Sequence, residues 1–538
     1  MTLKWAWPNK VCQMNVTVAP ESIQAPARQR SALWSSYLVF TLCASLYLLP
    51  FMRLIQQRTD EGIFLSGAMR IVHGQVFARD FFEMMGPGSF YWLAWFYKLF
   101  GVTFLATRIS LFITSLGTCL TIYILSRRIG CRHPFIPCVC VLATYYGSIW
   151  PGISHHVDSN FIVLLSVVSI VQWHERGSKL YLLVAGVLAG AATCTFLHKG
   201  VLLFCALLVW LWIQQRWSRA FRSSFVLLGA GYFSAVGVML AYFWSQGALD
   251  RLVYVNLVWP LQHYESVNIV PYAHGIVHTW VQLAWSGGSL SWLVVLGTIL
   301  IVPYLFVAAL PFLLTGLAIV FRARTVTPLT LLFWLCGGAL LLSEMQRKDI
   351  THLAFGSPLL VILTIYFLGE ARNRIASSTL QIVAITSVVL AGMNFMFALT
   401  ARPVATRVGE VAMFRQDPVL TALDANVAAG EELFVYPYCP SYYFLSNTIN
   451  PTRYSVLYNG NTLSQFAEVI SLLDRQKVKH VLWYTRFETE TIPENFPGAP
   501  RMTPGRLLIE SYLESHYKTA TEADGFRVME RKGDDLAK

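Results

Sequence analysis

Apolar runs long enough to cross a bilayer as helices, roughly 17 to 25 residues each, recur along this chain from about Ser31 to about Thr400 and then stop. No other feature of the sequence constrains the fold as tightly. Inside lipid a continuous apolar segment satisfies its backbone only as a helix, so the runs read as a polytopic transmembrane bundle, mainly α. The composition agrees: 55% of residues are hydrophobic and only 13% charged, a balance foreign to water-soluble enzymes.

The net charge of +12 does not point to nucleic acid, because the basic residues form no face and no basic helix. They gather instead in short connections between apolar runs: Arg127, Arg128 and Arg132; Arg176 and Lys179; Arg216, Arg219 and Arg222; Arg322 and Arg324; Arg372 and Arg374. Such clusters mark the cytoplasmic side. Residues 1–31 read as a cytoplasmic tail, and residues 32–401 as the membrane module with spans near 32–52, 108–126, 135–150, 160–173, 180–197, 200–215, 224–245, 293–320, 327–343, 353–369 and 378–400. About eleven spans put the C-terminus outside a bacterial inner membrane, with membrane lipids as constant partners. External loops then fall at 53–107, 151–159, 246–292 and 344–352, with a turn at His198–Gly200. The first loop carries Arg53, Arg58, Arg70, Arg79 and Lys98 against the charge rule, and phosphate binding is one reason for that.

Residues 402–538 change character. Helical patterns at Val419–Ala428 and "TLSQFAEVISLLDRQ" alternate with the strands "EELFVYPY" and "HVLWYT"; Thr503 and Pro504 open another helix, and Asp524–Gly525 turns a hairpin. This reads as a small external α/β domain hanging from the last span. Its segment "YPYCPSYYFLSNTINPTRY" is expected to be a packed loop without a catalytic role.

Ionisable residues that the cytoplasmic loops leave unexplained all fall on the external side: Asp60, Glu61, Asp80 and Glu83; His155, His156 and Asp158; His198 and Lys199; Glu344, Arg347, Lys348, Asp349 and His352. A transporter would place such groups near the midplane of broken helices, whereas one outer face suits a site fed by a lipid-borne substrate. In "RTDEG", Thr59 is a good N-cap, Asp60 and Glu61 suit the first turn, and Gly74 offers a stop. "SHHVD" supplies possible ligands for a divalent ion, but adjacent histidines seldom both face one metal, so polar contact with a sugar or acceptor is expected and no metal site is assigned. Arg347, Lys348, Asp349 and His352 lie within about two helical turns, so one face can carry a cation and an acid together. Trp259, Tyr264 and Tyr272 read as interfacial aromatics. Gly86–Pro87–Gly88 is too short to cradle a nucleotide.

In order along residues 33 to 215, "RTDEG", "RDFFEMMGPGSFYWLAWFYKLFG", the span ending Arg127–Arg128, Asp158 and "FLHKG" resemble the GT-C glycosyltransferases, specifically the protein O-mannosyltransferase and aminoarabinose-transferase branch. The resemblance implies inverting transfer of a sugar from a polyprenyl-phosphate donor to a glycan, lipid or protein acceptor on the non-cytoplasmic side. It implies Asp60 as the catalytic base and Glu61 as its neighbour. From their external position, Asp80, Glu83, His155, His156, Asp158, His198, Asp349 and His352 are expected around the substrates. The family's lysine before the proline pair is replaced by Met85 and Gly86. The donor phosphate is therefore expected to meet Lys199 and Arg347 or Lys348. Two other classes remain open from the sequence: a flippase of lipid-linked sugars, and a non-catalytic subunit of a polysaccharide assembly system.

Overall fold

The computed structural model describes residues 27–55, 60–145, 152–264, 268–276, 297, 300–323, 327–371 and 373–533. The helices up to residue 399 are α1 (Ala27–Leu48), α2 (Glu61–Val72), α3 (Gly88–Phe100), α4 (Phe104–Ile129), α5 (Ile136–Tyr145), α6 (His155–Arg176), α7 (Lys179–Thr195), α8 (Leu197–Gln215), α9 (Arg219–Ser245), α10 (Val302–Ala323), α11 (Pro328–Glu344), α12 (Ile350–Gly356), α13 (Pro358–Glu370) and α14 (Arg374–Leu399). Among the described residues α4, α6, α8, α9 and α14 are each long and apolar enough to cross a membrane, and α12 with α13 passes as a bent pair. Shorter apolar helices at Ser35–Leu48, α5, α7, Val302–Leu313 and α11 fall where the sequence also places spans. The chain is a polytopic membrane protein.

Local chemistry sets the ends of these helices. Thr103 accepts from the Ala106 amide at 3.2 Å to start α4, and Thr327 with Thr330 forms a capping box ahead of Pro328. The basic clusters occupy the C-terminal ends of α4, α6 and α8 and the N-terminal ends of α7, α9 and α14. His155, His156 and Asp158 sit at the opposite end of α6, and His198 and Lys199 at the opposite end of α8. Helices α7 and α9 cross with backbone almost touching backbone: a Cβ on Gly186 would lie 2.1 Å from the Leu228 carbonyl oxygen.

Two breaks differ from the expected spans. The α7–α8 turn comes at Phe196, two residues before His198, so Lys199 is inside α8 rather than in a loop. The expected span at 353–369 is bent by 72° between α12 and α13, at Ser357–Pro358, where proline opens α13. The bend lets α12 turn His352 back toward α6.

The C-terminal region begins with a hairpin of β1 (Arg402–Thr406) and β2 (Gly409–Met413), which the sequence reading missed. Next come α15 (Pro418–Asn426), β3 (Leu433–Tyr436), α16 (Ser441–Leu445), α17 (Leu463–Arg475), β4 (His480–Tyr484), α18 (Pro504–His516), β5 (Tyr517–Ala523) and β6 (Phe526–Arg531). The strands form one sheet in the order β3-β4-β6-β5, parallel only between β3 and β4, which are joined by a crossover through α17. Asp524 and Gly525 turn the β5–β6 hairpin with φ of 45° and 79°. Phe434, Tyr436, Phe466, Leu473, Val481, Ile509 and Leu513 make the core between this sheet and α17 and α18.

This region does not hang from the last span; it is docked on the first loop. Arg70, expected near phosphate, donates to the Thr452 carbonyl at 2.8 Å, and the Phe82 amide donates to the Arg453 carbonyl at 2.7 Å. Arg79 pairs with Asp80 at 2.9 Å and Arg53 lies 3.8 Å from Glu410. Arg53, Arg70 and Arg79 therefore find acids and carbonyls of the chain itself, Lys98 is exposed, and Arg58 lies outside the described residues. At Gly62 a Cβ would lie 2.1 Å from the Ser441 amide nitrogen, so α2 and α16 meet only because residue 62 has no side chain.

Gly62→Ala should force α2 and α16 apart at a cost of about 1–3 kcal/mol. Limited proteolysis of the full chain in detergent should then cut more readily after residue 400, and an unchanged pattern and melting temperature would show that the two elements are not held in register there.

Candidate functional site

At the start of α2 two adjacent carboxylates have opposite fates. Glu61 is buried and forms a two-point ion pair with Arg108 of α4, at 2.6 and 3.2 Å, while also accepting the Ile153 amide at 3.0 Å. The Arg108 guanidinium lies over the Phe104 ring at 4.4 Å. Asp60 occupies the N-cap position without capping the helix, and it is exposed. Its Oδ1 accepts the hydroxyl of Tyr438. Thr59, the expected cap, lies outside the described residues.

Around Asp60 stand Tyr264, Tyr438, Tyr458, Glu83 and Arg347, each close enough to feel its charge. Burial, with the Asp60 charge beside it, pushes the Tyr438 hydroxyl well above the ordinary tyrosine range, so it stays a neutral donor to the carboxylate. Burial pushes the Glu83 carboxyl up to about 8, against the opposing pull of Ser455 and Arg70. Glu83 is therefore neutral at pH 7 and Asp60 does not face a second anion there. The Asn256 amide fixes the turn after Glu83 by donating to the Met84 and Met85 carbonyls at 3.0 and 2.9 Å.

A chain of buried polar groups leads inward from Arg347. Its Nε lies 2.6 Å from Asp349, and its terminal nitrogens donate to Asn268 at 3.0 Å and to the Asn495 carbonyl at 2.5 Å. Burial opposes the Arg347 charge, but Asp349 and Tyr264 hold its pKa above the ordinary arginine value. Asp349 caps α12 through the His352 amide and also bonds His352 Nδ1 at 2.9 Å. Although burial opposes its charge too, the His352 ring and Arg347 keep its carboxyl well below the usual range. The His352 ring meets that of His156 edge-on at 4.8 Å, and His156 Nδ1 lies 2.9 Å from Glu344. Lys199, wholly buried, completes the chain at 2.6 Å from Glu344 and 2.7 Å from Asn160.

The structure thus brings Arg347, Asp349, His352, His156 and Lys199 into one network, with Asp60 beside its Arg347 end. Glu83 joins Asp60 from the other side. Others of the expected residues lie apart. Asp80 is engaged by Arg79 at the surface, Lys348 is exposed, and His198 reaches Gln346 at 3.1 Å. Asp158 is buried against Ser89, and the His155 ring packs on Phe64 and Phe196 rather than beside Asp158. Trp259 is buried and Tyr264 faces Arg347, so neither is merely interfacial.

Sequence reasoning passed over Tyr438, Arg108, Asn160 and Asn256. Tyr438 came from a segment read as a packed loop, and most of that segment is one: Tyr442, Tyr443 and Phe444 are buried in the docking face. Arg108 at the entry to an apolar span was the available signal, because a cation there needs a partner.

No protein-family model matches this chain and no curated protein does. Among solved structures it is similar to ArnT from Cupriavidus metallidurans bound to undecaprenyl phosphate, with a TM-score of 0.55 at 11% identity over 94% of this chain and 99% of that one. ArnT from the same organism in the apo state gives a TM-score of 0.44 at 12% identity, over 92% and 98% of the two chains. The first likeness shows the fold: this chain shares the overall architecture of that ArnT structure.

Removing one partner of the Glu61–Arg108 pair strands a buried charge, so Arg108→Met should cost about 3–5 kcal/mol, and the added Glu61→Gln change should restore much of it. Melting in detergent measures both; equal losses in the single and double variants would contradict the pairing. Glu83 gives a pH signature. Its raised pKa contributes stability that is full below the ordinary glutamate value of about 4.3 and drains away, by about 1.4 kcal/mol per pH unit, up to about 8. The melting temperature of the wild type should therefore fall relative to Glu83→Gln between pH 5 and about 8, and parallel curves would show that Glu83 ionises normally.

Proposed function

We propose that this protein is an integral membrane glycosyltransferase that moves a sugar from a polyprenyl-phosphate donor to a hydroxyl of a glycan, lipid or protein acceptor. The observation that carries the reading is the exposed Asp60 carboxylate, held by Tyr438 and within electrostatic reach of Arg347. A base with a fixed cation near it is what inverting transfer from a lipid phosphate needs. The fold adds support, since the similar ArnT structure holds undecaprenyl phosphate.

In this reading the acceptor oxygen attacks the anomeric carbon from the face opposite the lipid phosphate. The new carbon–oxygen bond forms as the bond to the phosphate oxygen breaks, and Asp60 takes the hydroxyl proton. Tyr438 occupies Oδ1, which leaves the other carboxylate oxygen for the acceptor. The phosphate departs as an anion without protonation, and Arg347 stabilises its charge. Tyr264 and Tyr458 offer flat, amphipathic walls for a sugar ring. Lys199 is fully engaged with Glu344 and Asn160, so it is not available to touch the phosphate.

The reaction is placed on the outer side of a bacterial inner membrane, with both the site and the docked C-terminal region there. The segregation of basic clusters to the opposite helix ends supports that orientation.

Mass spectrometry of lipid extracts from cells expressing the chain tests the reading. Wild type should deplete a glycosylated undecaprenyl phosphate. Asp60→Asn should slow this by about 10²–10⁴-fold with protein still folded in the membrane, and Tyr438→Phe by about 10-fold or more through loss of a hydrogen bond to a charged group. Depletion at the wild-type rate by Asp60→Asn, or movement of intact lipid-linked sugar between leaflets without cleavage, would overturn it.

A further inference from the structure

The network inward of Arg347 contains a group that sugar transfer does not use. His156, Glu344 and His352 come from three elements, the start of α6, the end of α11 and the bent α12. One nitrogen or oxygen from each lies within 4.8 Å of the others. Ligands bound at about 2.0–2.2 Å around a tetrahedral ion stand about 3.4 Å apart, so a small inward shift closes the set.

Three observations separate this arrangement from an ordinary buried salt bridge. The first is an unused acceptor: Glu344 Oε2 is buried and lies 2.9 Å from His156 Nδ1, but that nitrogen is aligned on Oε1 at 3.1 Å, so Oε2 has no hydrogen bond among the described residues. Lys199 holds the other oxygen, Oε1, at 2.6 Å. A carboxylate with one oxygen neutralised by a lysine and the other left bare in a dry site is costly unless a cation completes it. The second is the orientation of His352. Its Nδ1 is bonded to the Asp349 carboxylate, whose other oxygen is held by Arg347. That is the outer-shell arrangement that fixes a histidine tautomer and presents Nε2 to a metal. The third is rigidity, because the His156 ring lies flat on Phe355, with centroids 4.8 Å apart and planes within 5°.

We propose that His156, Glu344 and His352 form a binding site for one divalent ion of the zinc class. Two imidazoles and a carboxylate suit zinc, whereas magnesium or calcium would be held by oxygen ligands. Three protein ligands leave a fourth position for water or an anionic oxygen, the form of a site that takes ligands rather than a closed structural one. The pair that looked most metal-like in the sequence, His155 with His156, is divided: His156 joins the cluster while His155 packs among Phe64 and Phe196.

Ion binding is read on purified protein without any lipid donor, so its outcome is independent of the sugar-transfer reading. Full-length protein freed of affinity tag is treated with chelator, equilibrated with zinc chloride, passed through gel filtration in detergent and assayed by plasma mass spectrometry. Wild type should retain about one zinc per chain, and the cobalt-loaded protein should show the intense visible absorption of a four-coordinate site. His352→Gln should lose the ion, and Asp349→Asn should bind it about 10–100-fold more weakly through loss of the outer-shell bond, both eluting as the wild type does. Absence of retained zinc and of four-coordinate cobalt absorption in the wild type would overturn the proposal, as would unchanged affinity in His352→Gln.

Discussion

The ion pair between Glu61 and Arg108 is the contact on which the arrangement of the site depends. In the low dielectric of a helix bundle a bare charge is far more costly than a paired one. Glu61 therefore fixes the start of α2 against α4 and, through the Ile153 amide, against the irregular segment entering α6. With its neighbour tied down, Asp60 has no choice of direction and stands at the open side of α2 under Tyr438. A pair of adjacent acids becomes one buried anchor and one exposed carboxylate because only Glu61 is paired with an arginine.

The same rule organises the other side of the space. The bend at Ser357–Pro358 brings α12 over the ends of α6 and α11, and polar groups then line up as Arg347, Asp349, His352, His156, Glu344 and Lys199. Arg347 stands at the end of this line nearer Asp60. The docked C-terminal region completes the enclosure, since Tyr438 and Tyr458 come from it while Asn495 and Phe496 steady Arg347.

Much of this was legible in the sequence. Each apolar run became a helix because hydrophobic length is a one-dimensional signal, and the α/β elements after residue 400 were marked by caps and turns at Thr462, Thr503 and Asp524–Gly525. Asp60, Glu83, Lys199 and the 347–352 cluster could be singled out because ionisable residues are rare next to apolar runs. What the sequence could not convey was pairing across distance. Whether Lys199 faces phosphate or Glu344 depends on a two-residue shift of the α7–α8 break, and whether Glu61 or Asp60 is free depends on Arg108, 47 residues away. Tyr438 was hidden because the one hydroxyl that reaches Asp60 sits among tyrosines that are simply packed. Close approach at Gly62 likewise has no one-dimensional sign.

The most direct test of an Asp60–Arg347 reaction space is a cryo-electron microscopy structure of the full chain with undecaprenyl phosphate bound. The expected density places a phosphate oxygen within about 4 Å of the Arg347 guanidinium, on the side of the open space that faces Asp60 and Tyr438. A phosphate seated elsewhere, with Arg347 still enclosed by Asp349, Asn268 and Asn495, would contradict it.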